Sequence, residues 1–189
     1  MIRVLLFCLV SLAGVAATPA CAAPEDYELD KNRSAVKFGF VFDGADMTGH
    51  MPVHAAQITL DVDNLPASRV DVALDARAAR AGFFLATQAM RGASMLDTAT
   101  HPLIRFRSTS VTGRLRDATV TGELTLRGVT RPVILRAAVY RQPETAPTDR
   151  DRLIVLLTGQ VNRTEFGASG YPGVIGDTIT LRILAYIAK

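Results

Sequence analysis

The chain has 189 residues, 49% apolar and 21% charged, a balance that fits one domain with its own core and excludes a disordered polymer. Aromatic residues make up only 6% and tryptophan is absent, so the core has to be built from Leu, Val, Ile, Ala and Phe. The formal charge of +3 comes from arginines scattered among aspartates, not the basic stripe that a nucleic-acid partner needs, and beyond the first two dozen residues no apolar run reaches the roughly 18 of an integral membrane segment.

The first segment reads as an export signal. Met1-Ile2-Arg3 is a charged tip, Val4 to Val10 and Leu12 to Ala17 form an apolar stretch, and Ala20-Cys21-Ala22 supplies small residues for cleavage. Residues 1–22 are therefore predicted to be removed, leaving a domain of residues 23–189 in a bacterial periplasm. Both cysteines, Cys8 and Cys21, fall in the removed part, so the mature chain is expected to have no disulfide, no thiolate metal site and no cysteine nucleophile. An acylated Cys21 is the competing reading; Thr18-Pro19-Ala20 lacks the Leu such a site usually wants three positions upstream.

Alternation dominates from there on. Val36, Phe38, Phe40 and Phe42 share one side of a strand, and the same period of two returns in Ala56–Asp61 and Val70–Asp75, separated by Asp63-Asn64-Leu65-Pro66. After the turn at His101-Pro102, Ile104–Arg107 alternates again. Ala118–Leu126 and Pro132–Tyr140 follow across a tight connection at Arg127-Gly128-Val129-Thr130, and Leu153–Val161 and Thr178–Ile187 complete the set. About eight closely spaced strands predict an all-β antiparallel sandwich or closed barrel. The stretch from Gln142 to Arg152 reads as an exposed hairpin loop.

One stretch breaks the pattern. From Arg77 to Leu96 the apolar residues do not alternate, Phe83, Phe84, Met90, Met95 and Leu96 cluster, and a short helix is predicted around Leu85–Arg91. Such an excursion either plugs a barrel end, completing the core, or covers a groove.

Chemistry is thinly supplied. No G-x-S-x-G elbow occurs, and the carboxylate pairs Asp61/Asp63 and Asp71/Asp75 are expected to face outward as solvated charge, so no enzyme is expected. Met47, His50, Met51 and His54 offer thioether and imidazole groups of the kind that suit copper. In a strand, however, the two histidines take one face and the two methionines the other, and no metal site or other cofactor is assigned.

The interior is the remaining candidate. An eight-stranded barrel is just wide enough to be filled by side chains or to hold one small ligand. Its inward sets would include Phe38, Phe40, Phe42, Ile58, Leu60, Val72 and Leu74 from the first half. The second half would add Ile104, Phe106, Leu124, Leu126, Val133, Leu135, Ile179, Leu181 and Ile183. Gly122 and Gly159, at inward positions, are expected to leave wall space open. Phe83, Phe84, Met90, Met95 and Leu96 would cover the mouth, Phe166 and Tyr171 would line the other end, and Arg91, Arg163 and Tyr171 are the polar candidates for a head group.

The segment Glu123-Leu124-Thr125-Leu126-Arg127-Gly128-Val129-Thr130-Arg131-Pro132-Val133 resembles the signature hairpin of the YceI-like family. Tyr27-Glu28-Leu29-Asp30 with Ser34–Phe38 resembles the family's opening, and Leu96-Asp97, His101-Pro102 and Ile104–Ser108 its middle segment. Asn162–Gly167 is similar to its Arg-x-x-Phe-Gly turn, and Gly176-Asp177 fits before the last strand. The resemblance runs from Tyr27 to Ile187. It implies an extended eight-stranded, lipocalin-like β-barrel, here with a short helical excursion around residues 83–97, whose apolar tunnel binds a long isoprenoid such as a quinone or polyprenyl chain. It also implies a non-enzymatic carrier or sequestering protein of the periplasm, often a homodimer, with an isoprenoid or fatty-chain lipid as its partner.

Where many members carry Arg-Asp-x-His, this chain has Ala86-Thr87-Gln88-Ala89, and Met95-Leu96 stand where aromatics are common, so its excursion is apolar and uncharged. Two other readings stay open at this point: a filled barrel whose surface serves a stress-associated partner, and a quinone- or copper-linked accessory to a cytochrome.

Overall fold

The computed structural model describes residues 23–189; the segment read as an export signal, with Cys8 and Cys21, lies outside them. Among the described residues eleven strands form one antiparallel sheet. In chain order they are β1 (Glu25–Leu29), β2 (Ala35–Phe42), β3 (Ala45–Met51), β4 (Val53–Leu60), β5 (Arg69–Asp75) and β6 (Arg80–Ala81). After helix α1 (Phe84–Arg91) come β7 (Leu103–Arg114), β8 (Asp117–Leu126), β9 (Val129–Arg141), β10 (Arg152–Asn162) and β11 (Thr178–Ala188).

Eight of them close a ring in the order β1-β4-β5-β7-β8-β9-β10-β11, sealed by β1 against β11. This is the expected eight-stranded barrel, with a different membership. The short β1 belongs to the ring, whereas the Phe-rich β2 extends the wall beyond it together with β3 and β6.

The exchange of neighbours has local causes. Between β3 and β4 stands Pro52, which has no N–H for a ladder; its carbonyl accepts from Asp75 N at 2.9 Å, and the register against β5 shifts between Val53 and Ala55. On the proline's first side the chain pairs with β2, and on its second with β1 and β5. Strand β11 changes partner correspondingly, from β2 over Thr180–Leu184 to β1 at Ile187 and Ala188. Tyr186, in the gap, donates its N–H to Ser34 Oγ and accepts from Asp30 N, each at 2.9 Å, so the switch leaves neither of its backbone groups unpaired.

Two of the hairpins use the turn that matches strand twist. Asp43-Gly44 and Arg127-Gly128 are two-residue connections with both residues at positive φ, +48° and +78° in the first, +52° and +75° in the second. That is the geometry for which Asp-Gly is a preferred pair.

At one end of the barrel Tyr27, Val139, Leu153 and Ile187 pack together, all at most 8% exposed. Over them folds the β9–β10 loop, where Arg150 O accepts from Tyr27 Oη at 2.7 Å. The predicted loop is there, although its first residue, Gln142, is buried and bonds Leu153 O and Arg33. Asp61 also departs from expectation. It is buried and accepts from Asp63 N and Asn64 N, ending β4 in a tight turn, while Asp71 faces outward and pairs with Arg107 at 2.7 Å.

Candidate functional site

The barrel encloses a cavity of about 840 Å³, inside the range of roughly 300–1,000 Å³ usual for ligand sites. A barrel filled by its own side chains is therefore not what this sequence makes. The cavity reaches Val139, Val155 and Ile187 at the packed end. At the opposite end it is lined by Phe83, Leu85, Tyr171 and Val174, which are 42%, 69%, 47% and 41% exposed, and there it opens.

Hydrocarbon dominates the wall because inward positions of almost every strand are apolar. Phe38, Phe40 and Phe42 come from β2, Ile104 and Phe106 from β7, Leu124 and Leu126 from β8, Val133 and Leu135 from β9, and Leu181 and Ile183 from β11. Phe83, Met90, Met95, Leu96, Phe166 and Tyr171 line it from the mouth segments. Six of the seven phenylalanines among the described residues thus face the cavity.

The seventh, Phe84, does not. Helix α1 turns Ala86 and Met90, one turn apart, inward; Phe84 lies two residues from Ala86, about 200° round the helix, and is 72% exposed. Phe83 escapes that fate as the extended residue before the helix, its ring edge-on to Phe42 at 5.6 Å.

Two further expectations change. Gly122 and Gly159 face inward, but their space is occupied: a Cβ on Gly122 would lie 2.5 Å from the Phe106 ring, and one on Gly159 would lie 2.5 Å from Leu135 Cδ2. Phe38 covers Gly49 in the same way, so the glycines let rings lie flat along the wall and keep the bore clear. The segment with Phe166 and Tyr171 is not at the far end either. Gly170 N donates to Ser94 O at 2.9 Å, and Asp43 N to Val174 O at 2.8 Å, which places this segment beside the excursion at the open mouth.

The polar lining groups are few. Ser34 Oγ accepts from Tyr186 N and Ser68 Oγ from Asp61 N. Arg163, 4% exposed, donates to the carbonyls of Ala168, Gly170, Ile175 and Gly176 and pairs with Asp177 at 2.9 Å. Its guanidinium is the frame on which the mouth loop is wound, and it is not free for a ligand head. Arg91, likewise a head-group candidate, is off the wall and donates to Ala79 O at 2.8 Å. Gln88 and Tyr171 remain, at the mouth.

The excursion is tied down from both sides. Ala81 N donates to Thr87 Oγ1, which bonds Phe83 O, and Arg127 of the β8–β9 turn donates to Met95 O at 2.7 Å. The Met-His segment splits across its strands rather than gathering its side chains. Met51 and Met47 pack inward with the core while His50 and His54 are exposed, and among the described residues no group of three His, Cys, Asp or Glu side chains converges.

Wall residues that sequence reading did not pick out include Val155, Leu157 and Val161 of β10 and Leu85 and Val174 at the mouth. In β10 the outward Ile154 and Leu156 are as apolar as their inward neighbours, so alternation carried no signal.

The family model described as the YceI-like domain matches residues 27–186. Among solved structures, Burkholderia cenocepacia BcnA is similar with a TM-score of 0.75 at 16% identity, over 86% of this chain and 100% of that one. A polyisoprenoid binding domain from Saccharophagus degradans, implicated in plant cell wall breakdown, gives 0.61 at 14% identity, over 86% and 97%. The Campylobacter jejuni YCEI protein gives 0.62 at 14%, over 95% and 93%. At these identities the likeness is one of fold. No curated protein matches the chain.

Proposed function

As the chain belongs to the family of YceI-like domains, we propose that it is a periplasmic binding protein that carries or sequesters a long-chain isoprenoid lipid in its barrel. The observation that carries this reading is the 840 Å³ cavity, whose wall is almost wholly hydrocarbon and whose deeper polar groups are already engaged. Burial gains roughly 0.8 kcal/mol per methylene. A tail of about a dozen such groups therefore gains roughly 10 kcal/mol, against which the entropy of association is set. The similarity to a protein described as a polyisoprenoid binding domain favours an isoprenoid over other apolar chains.

The head is read as neutral. Among the described residues Arg163 is the single charged one on the wall, and its guanidinium is engaged by loop carbonyls and Asp177. A phosphate would find no free cation there, whereas a quinone or alcohol can meet the Gln88 amide and the Tyr171 hydroxyl at the mouth. Binding of this kind needs no catalytic group, and we read the protein as non-enzymatic.

The test is mass spectrometry of the organic extract of protein purified from an exporting host without detergent. A near-stoichiometric neutral isoprenoid is expected. A folded protein whose extract is empty, and which takes up no added farnesol or quinone, overturns the reading.

A further inference from the structure

The rim of the open mouth is built differently from the rest of the surface. Of the large apolar residues that are exposed, Val41, Phe83, Phe84, Leu85, Tyr171 and Val174 all sit at this end. Two of the segments that form the rim, Ala81–Met90 and Phe166–Gly176, contain no Asp, Glu, Lys or Arg, in a chain that is 21% charged. Such a concentration of apolar exposure marks an interaction surface.

We propose that this collar docks on a zwitterionic lipid surface, so that the cavity opens directly into the hydrocarbon of a bilayer. The proposal rests on the lipid-binding reading above and adds where the ligand is exchanged. Three observations choose the bilayer over a protein. First, the collar surrounds the opening: Phe83, Leu85, Tyr171 and Val174 line the cavity and face solvent at once, so whatever covers the collar also covers the ligand's route. A second copy would close the route, whereas a bilayer is itself the place where an isoprenoid dissolves. Second, Phe84 and Leu85 project from the first turn of α1, 72% and 69% exposed, within the uncharged run Ala81–Met90, an apolar edge suited to insertion among lipid chains. Third, the charges bordering the collar are mostly acidic, Arg80 on one flank and Asp43, Asp46, Glu165 and Asp177 on the other, which disfavours an anionic surface and leaves a net-neutral one.

The proposal is tested on residues 23–189, which contain the whole closed barrel, by flotation with phosphatidylcholine–phosphatidylethanolamine vesicles and by the rate at which the protein extracts a fluorescent isoprenoid from them. Phe84→Asp is the informative variant, because Phe84 is exposed and off the cavity wall. Ile134→Asp, at an equally apolar position 62% exposed on the outer face of β9, is the control. Wild type and I134D are expected to float and to extract alike, and F84D to remain behind and extract at least tenfold more slowly while binding water-delivered farnesol as wild type does. Equal flotation of all three, or flotation of none, overturns the docking surface. So does a wild-type dimer that F84D dissociates, since the collar would then belong to a second copy. Flotation needs no ligand, so these outcomes stand apart from a failure of farnesol to bind, which bears on the lipid-binding reading alone.

Discussion

A buried arginine in an apolar barrel has to be satisfied or it destabilises the fold. Arg163 is satisfied by backbone carbonyls of its own loop, by Asp177 and by the Met95 sulfur, which makes it a structural residue within a wall otherwise built for hydrocarbon. Arg163→Lys keeps the charge but loses the planar fork and is expected to lower stability by about 1–3 kcal/mol, read from urea unfolding, with no change in preference between neutral and anionic lipids. Gly122 acts in the opposite sense, by what it lacks. A methyl group there would meet the Phe106 ring and Arg107 O, each at 2.5 Å. Gly122→Ala should therefore destabilise by about 1–3 kcal/mol and narrow the bore, visible as a shift of the unfolding midpoint and weaker uptake of a quinone probe.

The same residue scale shows what could be read from sequence. The inward Phe of β2, Ile104 and Phe106, and Leu124 and Leu126 were legible because charged or small residues alternate with them. Phe84 was not, because a cluster of adjacent aromatics does not reveal where a helix begins, and a shift of one residue rotates every side chain by about 100°. Inward glycines were legible as glycines, but whether their space stays empty depends on rings reaching from neighbouring strands.

At the scale of elements, the closure of the ring depends on the short β1, and that seam carries its own titration. Tyr27 is raised above the ordinary tyrosine value, chiefly by burial, and Lys189 above the ordinary lysine value, chiefly by its hydrogen bond to Glu25. For both, a raised folded-state value means that the stabilisation is fully present below the unfolded value, near pH 10, and is lost as pH rises beyond it. The denaturant midpoint is expected to hold between pH 7 and 9 and to fall above about pH 10, with Tyr27→Phe showing a shallower fall. Sequence reading missed β1 as a strand because five residues give too few periods. It also missed the division of the Met47–Leu60 stretch at Pro52, since a proline marks a break without saying which neighbours the chain takes up on each side.

Over the whole molecule, cavity length is set by how far the packed end intrudes. Ala137 of β9 lies on the wall near that end, buried at 6% and beside Ala118. Ala137→Phe is expected to shorten the cavity from its floor and move the bound population toward shorter tails, measured by the chain lengths recovered in organic extracts; an unchanged distribution would place the tail's end elsewhere. The antiparallel all-β architecture was legible from the spacing of its strands, and the choice of a closed barrel over a sandwich from the family resemblance. The open mouth was not, because it is made by segments that follow no period and meet only through tertiary bonds such as Arg127 to Met95 and Gly170 to Ser94.

That the mouth is completed by a helix and a loop rather than by ring strands separates two demands on the chain. The strands that close the ring hold the fold, while α1 and the segment from Phe166 to Gly176 meet whatever enters. Substitution along α1's outer face leaves every ladder bond intact, so descendants of one barrel can diverge in what they admit without repaying the change in foldability. A designer has the same freedom: the entrance can be rewritten in about a dozen positions around Phe83–Met90 and Tyr171–Val174 while the vessel behind it is kept.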